Sequence, residues 1–241
     1  MGKRILPAFV LLFFSTASIA QKPANARSFY LKGIQLRNQN KFVEAVAAFQ
    51  KAIKLDKKMD SAYFEIGLIF SRTQFADSAV WYYGKAIAVN PKMDVAHIAL
   101  GNLYRDVKNK PDSAIASYFN ALKTDSLNKL TYYSIAWCYN AKGESEKAIP
   151  YAIKSLEIDN NYKPGYNELG YAYRTTGKYR EAIEQFKKNI AISPVDIAML
   201  YTAYCYIELK EKDGAMEQYE ALKKVNEKMA DGLKKKIDAM Q

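Results

Sequence analysis

The 241-residue chain is poor in the side chains that carry chemistry. It holds one histidine, His97, and two cysteines, Cys138 and Cys205. A metal site needs three or four converging ligands, and no group here has that spacing. Two cysteines are also too few for a disulfide framework. No glycine-rich phosphate loop and no nucleophile elbow occurs, so no nucleophile, base or metal is at hand from which to build an active site. The sequence therefore reads as a non-enzyme with no cofactor and no small-molecule substrate. No asparagine stands in an Asn-x-Ser/Thr sequon, so glycan attachment is not expected.

A membrane-spanning run is missing too. The one long uncharged stretch lies between Arg4 and Lys22 and holds 17 residues, the second half only weakly apolar. A spanning helix needs about 20 predominantly apolar residues. Lys3 and Arg4 precede an apolar run from Ile5 to Phe14, and Ser18-Ile19-Ala20 supplies the small residues that a signal peptidase reads. Residues 1–20 are expected to be a signal peptide, with the mature chain starting at Gln21. Export with so few cysteines points to the periplasm or cell envelope of a bacterium.

What the chain has instead is repetition. Alanines recur at Ala45, Ala79, Ala114, Ala148, Ala182 and Ala215, spaced 34, 35, 34, 34 and 33 residues apart. A second series of small residues, Gly33, Gly67, Gly101, Ala136, Gly170 and Ala203, has spacings of 34, 34, 35, 34 and 33. Large residues accompany both. Leu36, Phe70, Tyr104, Tyr139, Tyr173 and Tyr206 stand three after each member of the second series. Phe49, Tyr83, Tyr118, Ala152, Phe186 and Tyr219 stand four after each alanine. A period in this range marks a solenoid, in which no unit buries its apolar stripe alone.

The pattern resembles the tetratricopeptide repeat over about residues 26 to 226, in six copies. The fifth copy matches best, with Tyr166, Leu169, Gly170, Tyr173, Gly177, Tyr179, Ala182, Phe186 and Pro194 where the family places them. The resemblance implies an all-α fold, an α-solenoid with a right-handed superhelix. Its repeats would span 26–59, 60–93, 94–128, 129–162, 163–195 and 196–226. Lys32 and Thr202 depart from apolar positions of the pattern. One extra residue belongs to the turn near Asn109-Lys110-Pro111, and the junction at Ser193-Pro194 is one residue short. Pro164 suits a first helical turn, whereas Pro150 should bend or delay its helix. Apolar Val225, Met229, Leu233, Ile237 and Met240 continue at helical spacing, so 227–241 is expected to cap the solenoid's end. Residues 201–241 carry eight basic and eight acidic side chains, which argues against a membrane helix there. His97 falls at a packing position and is expected to be half-buried. Cys138 and Cys205 share a repeat position two copies apart, too far apart for a disulfide.

The same resemblance implies a concave groove lined by one face of each first helix. Residues at spacings of 4 and 3 on that face are Tyr30, Ile34 and Arg37; Phe64, Leu68 and Ser71; Ile98, Asn102 and Arg105. They continue as Tyr133, Trp137 and Asn140; Asn167, Tyr171 and Arg174; Leu200, Tyr204 and Ile207. Aromatics and arginine dominate interface hot spots. The groove is thus expected to hold a segment of a partner protein, with Arg105 and Arg174 free to take a carboxylate. Packing between first helices would bury about half of these side chains. The chain lacks the Lys and Asn with which some family members clamp a C-terminal carboxylate: Tyr30 with Ile34, or Ile98 with Asn102, stands there.

The formal charge of +11 is local. Residues 21–59 hold nine basic side chains, namely Lys22, Arg27, Lys32, Arg37, Lys41, Lys51, Lys54, Lys57 and Lys58, against Glu44 and Asp56. That is no stripe along the groove, which argues against a nucleic-acid ligand. It suits an acidic partner or an anionic membrane surface at one end. A structural spacer with no groove ligand is the alternative function. Oligomeric state is not written in the sequence.

Overall fold

The computed structural model describes residues 25–194 and 196–240, so the signal-peptide reading and Lys22 lie outside the described residues. Thirteen α-helices and no strand occur among them. Six antiparallel pairs follow one another: α1 (Ala26–Asn38) with α2 (Phe42–Leu55), α3 (Asp60–Arg72) with α4 (Ala76–Val89), and α5 (Asp94–Asp106) with α6 (Pro111–Leu122). The series continues with α7 (Lys129–Ala141) and α8 (Ser145–Ile158), α9 (Lys163–Thr175) and α10 (Tyr179–Ile192), and α11 (Asp196–Glu208) and α12 (Lys212–Lys223). A last helix, α13 (Glu227–Asp238), closes the array.

Each pair is locked by the two small residues of its repeat. A Cβ on Gly33, Gly67, Gly101 or Gly170 would come within 2.5–2.7 Å of the ring of Phe49, Tyr83, Tyr118 or Phe186 respectively. The missing side chain is the seat of the partner helix's ring, which compensates the cost of about 1 kcal/mol that glycine carries inside a helix. The fourth repeat solves the same packing with Ala136 and Ala152, both fully buried. There the seat is filled by one methyl and the ring is dispensed with.

Each second helix carries an acidic residue in its first turn, where the positive end of the helix dipole favours it. Three of these acids reach the next repeat's turn through Lys108–Asp77, Lys142–Asp112 and Lys178–Glu146. Most inner turns take three residues, with one residue in the left-handed region: Asn40, Gln74, Gly143, Gly177 and Lys210. The α5–α6 turn takes four, with Asn109 left-handed, so the extra residue falls where the sequence puts it. Among the connections between helix pairs, α10–α11 is the short one, three residues against four or six, and the link to α13 also takes three.

Neighbouring repeats are not stacked evenly. First helices touch first helices (α3 with α5, α7 with α9, α9 with α11), while second helices lie further apart. The stack therefore curves, with the first helices on its inner side. Helix α13 packs on α11 and α12, burying Ala230, Leu233 and Ile237. The expected stripe is corrected at one end: Val225 is exposed and Ala230 takes its share of the contact.

Other expectations change in detail. Pro150 sits inside α8, which still begins at Ser145 in register with its counterparts, so the helix is not delayed. His97 is buried rather than half-buried, its Nε2 3.1 Å from the Pro91 carbonyl oxygen. Cys138 and Cys205 are free, buried and in separate apolar clusters. Burial pushes their thiols up to about 11 and about 12. Thr202 is tolerated in the core because its hydroxyl donates to the Ala198 carbonyl oxygen, 2.8 Å away. Lys32 lies on the exposed side of α1.

Candidate functional site

The inner face is not uniform along the solenoid. Near the first repeats its residues pack into the core: Tyr30 lies against Phe49 at 5.6 Å between ring centroids, and Phe64 against Tyr83 at 5.8 Å. Ile34 and Leu68 join the same apolar clusters. Asn102 accepts a hydrogen bond from the Tyr118 hydroxyl at 2.8 Å. Leu200 and Ile207 pack beneath α13. These side chains hold helices together and offer little to a ligand.

The residues four after each small position form a chain of contacts across the junctions. At four of the five junctions such a residue meets the one two before the next small position. Arg37 pairs with Glu65, and the Arg105 Nη1 donates to Ser134 Oγ at 2.9 Å. Asn140 Nδ2 donates to Glu168 Oε2 at 2.9 Å and to the Glu168 carbonyl oxygen at 3.1 Å. Arg174 meets Tyr201, whose ring centroid lies 4.8 Å from the guanidinium carbon. Sequence reasoning missed this second set of positions. Its signal was a polar residue, Glu65 and again Glu168, at a recurring place inside an otherwise apolar helix face.

The arginines are thereby distinguished. Arg105 holds Asp106 with two parallel bonds, Nε to Oδ1 at 2.6 Å and Nη2 to Oδ2 at 2.9 Å, and lies over the Trp137 ring at 5.5 Å. Its fork is occupied, which removes it as a free carboxylate receptor, and the bond to Asp106 holds its proton more tightly. Arg174 lies between the Tyr171 ring, at 5.1 Å, and Tyr201, and makes no ion pair among the described residues.

Four predicted groove residues converge. Trp137, Asn140, Asn167 and Tyr171 line one cavity of about 260 Å³ together with Glu168 and Tyr201. Trp137 is 36% exposed at its mouth, whereas Asn140 is only 7% and Glu168 8% exposed. Burial pushes the Glu168 carboxyl upward, with Asn140 and Arg105 opposing the shift. Tyr133 stands to one side, edge-on to Tyr162. Arg174 and Tyr204 line a neighbouring cavity with Lys236 of α13, and Arg37 and Leu68 line a third near the first turn. Among the described residues no group of three His, Cys, Asp or Glu side chains could hold a metal ion.

At the basic end, Arg27, Lys32, Lys41, Lys51, Lys54, Lys57 and Lys58 are all exposed. Lys51 rests over the Phe29 ring at 5.7 Å. No helix among the described residues is long and apolar enough to cross a membrane.

Solved structures share this architecture. YrrB, a TPR protein described as having an unusual peptide-binding site, is 22% identical with a TM-score of 0.70, over 78% of this chain and 98% of its own. PilW, described as a type IV pilus biogenesis factor, is 18% identical with a TM-score of 0.68, over 87% of this chain and 99% of its own. A tetratricopeptide repeat protein from Parabacteroides merdae is 16% identical with a TM-score of 0.67, over 89% of this chain and 93% of its own. No match to a curated protein was found. At these identities the likeness is one of fold. In sequence, tetratricopeptide repeat profiles match residues 26–59, 96–130, 131–162, 164–196 and 197–226. Matched over most of its length and built from helix pairs locked by glycine under aromatic rings, the chain belongs to the tetratricopeptide repeat family.

Proposed function

We propose that the protein is a non-enzymatic scaffold of the bacterial cell envelope, whose inner face over repeats four to six docks an extended or helical segment of a partner protein. The observation that carries this reading is Trp137. A large aromatic stands 36% exposed on the inner face, at the mouth of a cavity lined by Tyr171 and Tyr201. Flat aromatic surface beside a partly desolvated guanidinium is the composition of interface hot spots. The envelope assignment rests on the leader-like residues 1–20, and the description of PilW as a pilus biogenesis factor agrees with it.

Capture from envelope extract tests the groove. Tyr171→Ala and Arg174→Ala, checked for unchanged thermal melting, should each weaken capture by about 2 kcal/mol, the size of a hot-spot truncation. Equal capture by both variants and wild type would put a spacer in place of a receptor.

The basic end supplies a second contact in this reading. Seven of its eight described lysines and arginines are exposed and make no ion pair among the described residues, the eighth being Arg37, which pairs with Glu65. They suit an acidic partner or an anionic membrane surface. Such an association weakens as the screening length falls below about 10 Å near 0.1 M salt. Binding that ignores salt would remove this contact.

A further inference from the structure

We propose that the cavity between α7, α9 and α11 receives a lysine or arginine side chain of the docked segment, a reading that rests on the groove function above and sharpens it. Six residues carry the inference: Trp137, Tyr171 and Tyr201 as aromatic surface, and Asn140, Asn167 and Glu168 as polar surface.

The two unsatisfied polar atoms of the cavity lining are both acceptors; the buried donor without a partner nearby, Arg174 Nε, belongs to the neighbouring cavity. Asn140 spends its amide nitrogen on Glu168, which leaves its buried Oδ1 without a partner. The amide cannot be turned over, because that would set its oxygen against the carboxylate. Asn167 Oδ1 is likewise buried and unpartnered. A buried acceptor left unmade costs about 1–3 kcal/mol, and an N–H donor entering the cavity recovers it.

Glu168 adds charge to this demand. It makes no ion pair among the described residues, and the cation that bears on it, Arg105, is bound to Asp106 and Ser134. The equivalent carboxylate three repeats earlier, Glu65, has Arg37 from its own chain. One junction is thus complete and the other lacks its cation. The three rings each have an arginine of this chain over them, Arg105 over Trp137 and Arg174 over Tyr171 and Tyr201, so what they offer the incoming side chain is apolar contact for its aliphatic stem. An acidic side chain would meet the carboxylate and two amide oxygens together. Any acidic group of the partner therefore falls to the neighbouring Arg174, whose guanidinium stacks on two rings and makes no ion pair among the described residues.

The test uses the full chain and amino-acid amides as probes. Its only two tryptophans, Trp137 and Trp81, give separate indole N–H signals, and Trp81 on α4 serves as internal reference. N-acetyl-lysine amide and N-acetyl-arginine amide should shift the Trp137 signal saturably and leave Trp81 unmoved. N-acetyl-norleucine amide, which keeps the aliphatic stem and lacks the charge, should not. Glu168→Gln preserves an acceptor for Asn140 and should weaken the cationic probes about tenfold, one charge-assisted interaction. Asn167→Ala, which removes the second acceptor, should weaken them as well. An equal shift with norleucine amide, no saturation, or unchanged binding in both variants overturns the proposal. Selection of a random peptide library on the same chain separates the two readings. Binders that depend on Tyr171 yet lack any basic residue uphold the groove and overturn the cation pocket. Binders indifferent to Tyr171→Ala overturn the groove itself.

Discussion

The Phe186 ring occupies the space a Cβ on Gly170 would need, 2.7 Å from its ideal position. Phe186 is fully buried, so the ring has nowhere to retreat. Gly170→Ala should therefore destabilise the protein: overpacking costs about 1–3 kcal/mol, against about 1 kcal/mol of helix propensity gained. In a Phe186→Ala background the same change should become neutral or stabilising, since the Ala136–Ala152 pair shows that two alanines fit. Urea midpoints of the four proteins decide this. Equal effects of Gly170→Ala in both backgrounds would mean that the ring and the glycine are not coupled.

Glu168 makes stability depend on pH in a definite direction. Burial raises its pKa above the ordinary glutamate value of about 4.3. The folded state thus holds the proton more tightly than the unfolded chain. Its contribution is fully present below the unfolded value and is lost as pH rises through the raised one. Glu168→Gln should match wild type near pH 4 and melt higher than wild type at pH 7. A melting difference that stays constant across that range would show that the carboxyl is not strained by burial.

Arg105 and Arg174 occupy equivalent positions and should respond differently to lysine. Arg105→Lys loses a two-bonded fork to Asp106 and should cost about 1–3 kcal/mol of stability. Arg174→Lys loses only stacking between two rings, worth about 0.5–1 kcal/mol at a partly exposed site. Thermal melting of the two variants ranks them, and a larger loss at Arg174 would contradict the assignment.

Export is checked by mass. If the proposed export holds, protein purified from its native host should begin at Gln21, since Lys3-Arg4, the apolar run and Ser18-Ile19-Ala20 read together as one processing signal. A chain that retains residues 1–20 would refute cleavage.

The repeat, its two small residues and the lengths of its turns were legible because each unit must satisfy the same close approach. Gly170 under Phe186 leaves the same trace in sequence as Gly33 under Phe49. The candidate site was half legible. Trp137, Asn140, Asn167 and Tyr171 follow from one helix face, but Glu168 and Tyr201 do not, since they belong to the contact between consecutive first helices. The state of Arg105 was hidden for a different reason. Its partner is the adjacent Asp106, and helical neighbours at that spacing do not ordinarily face each other. At Arg105 the long side chain turns back to meet it. Pro150 does not delay α8, whose Ala148 and Ala152 on either side of it are held in the core.

The uneven stacking of the helices has a mechanical meaning. Within a repeat the two helices are pinned by a ring seated on a glycine, so the hairpin is stiff. Between repeats each second helix shares a buried apolar cluster with the next first helix, as Ala182 and Phe186 do with Ala198 and Cys205, while second helices stand apart from one another. The open side of each junction therefore lies between second helices, on the outside of the curve. A segment seated across α7, α9 and α11 would span two of those joints at once. Occupancy of the inner face would then be readable from outside it, as a change in the pitch of the whole coil.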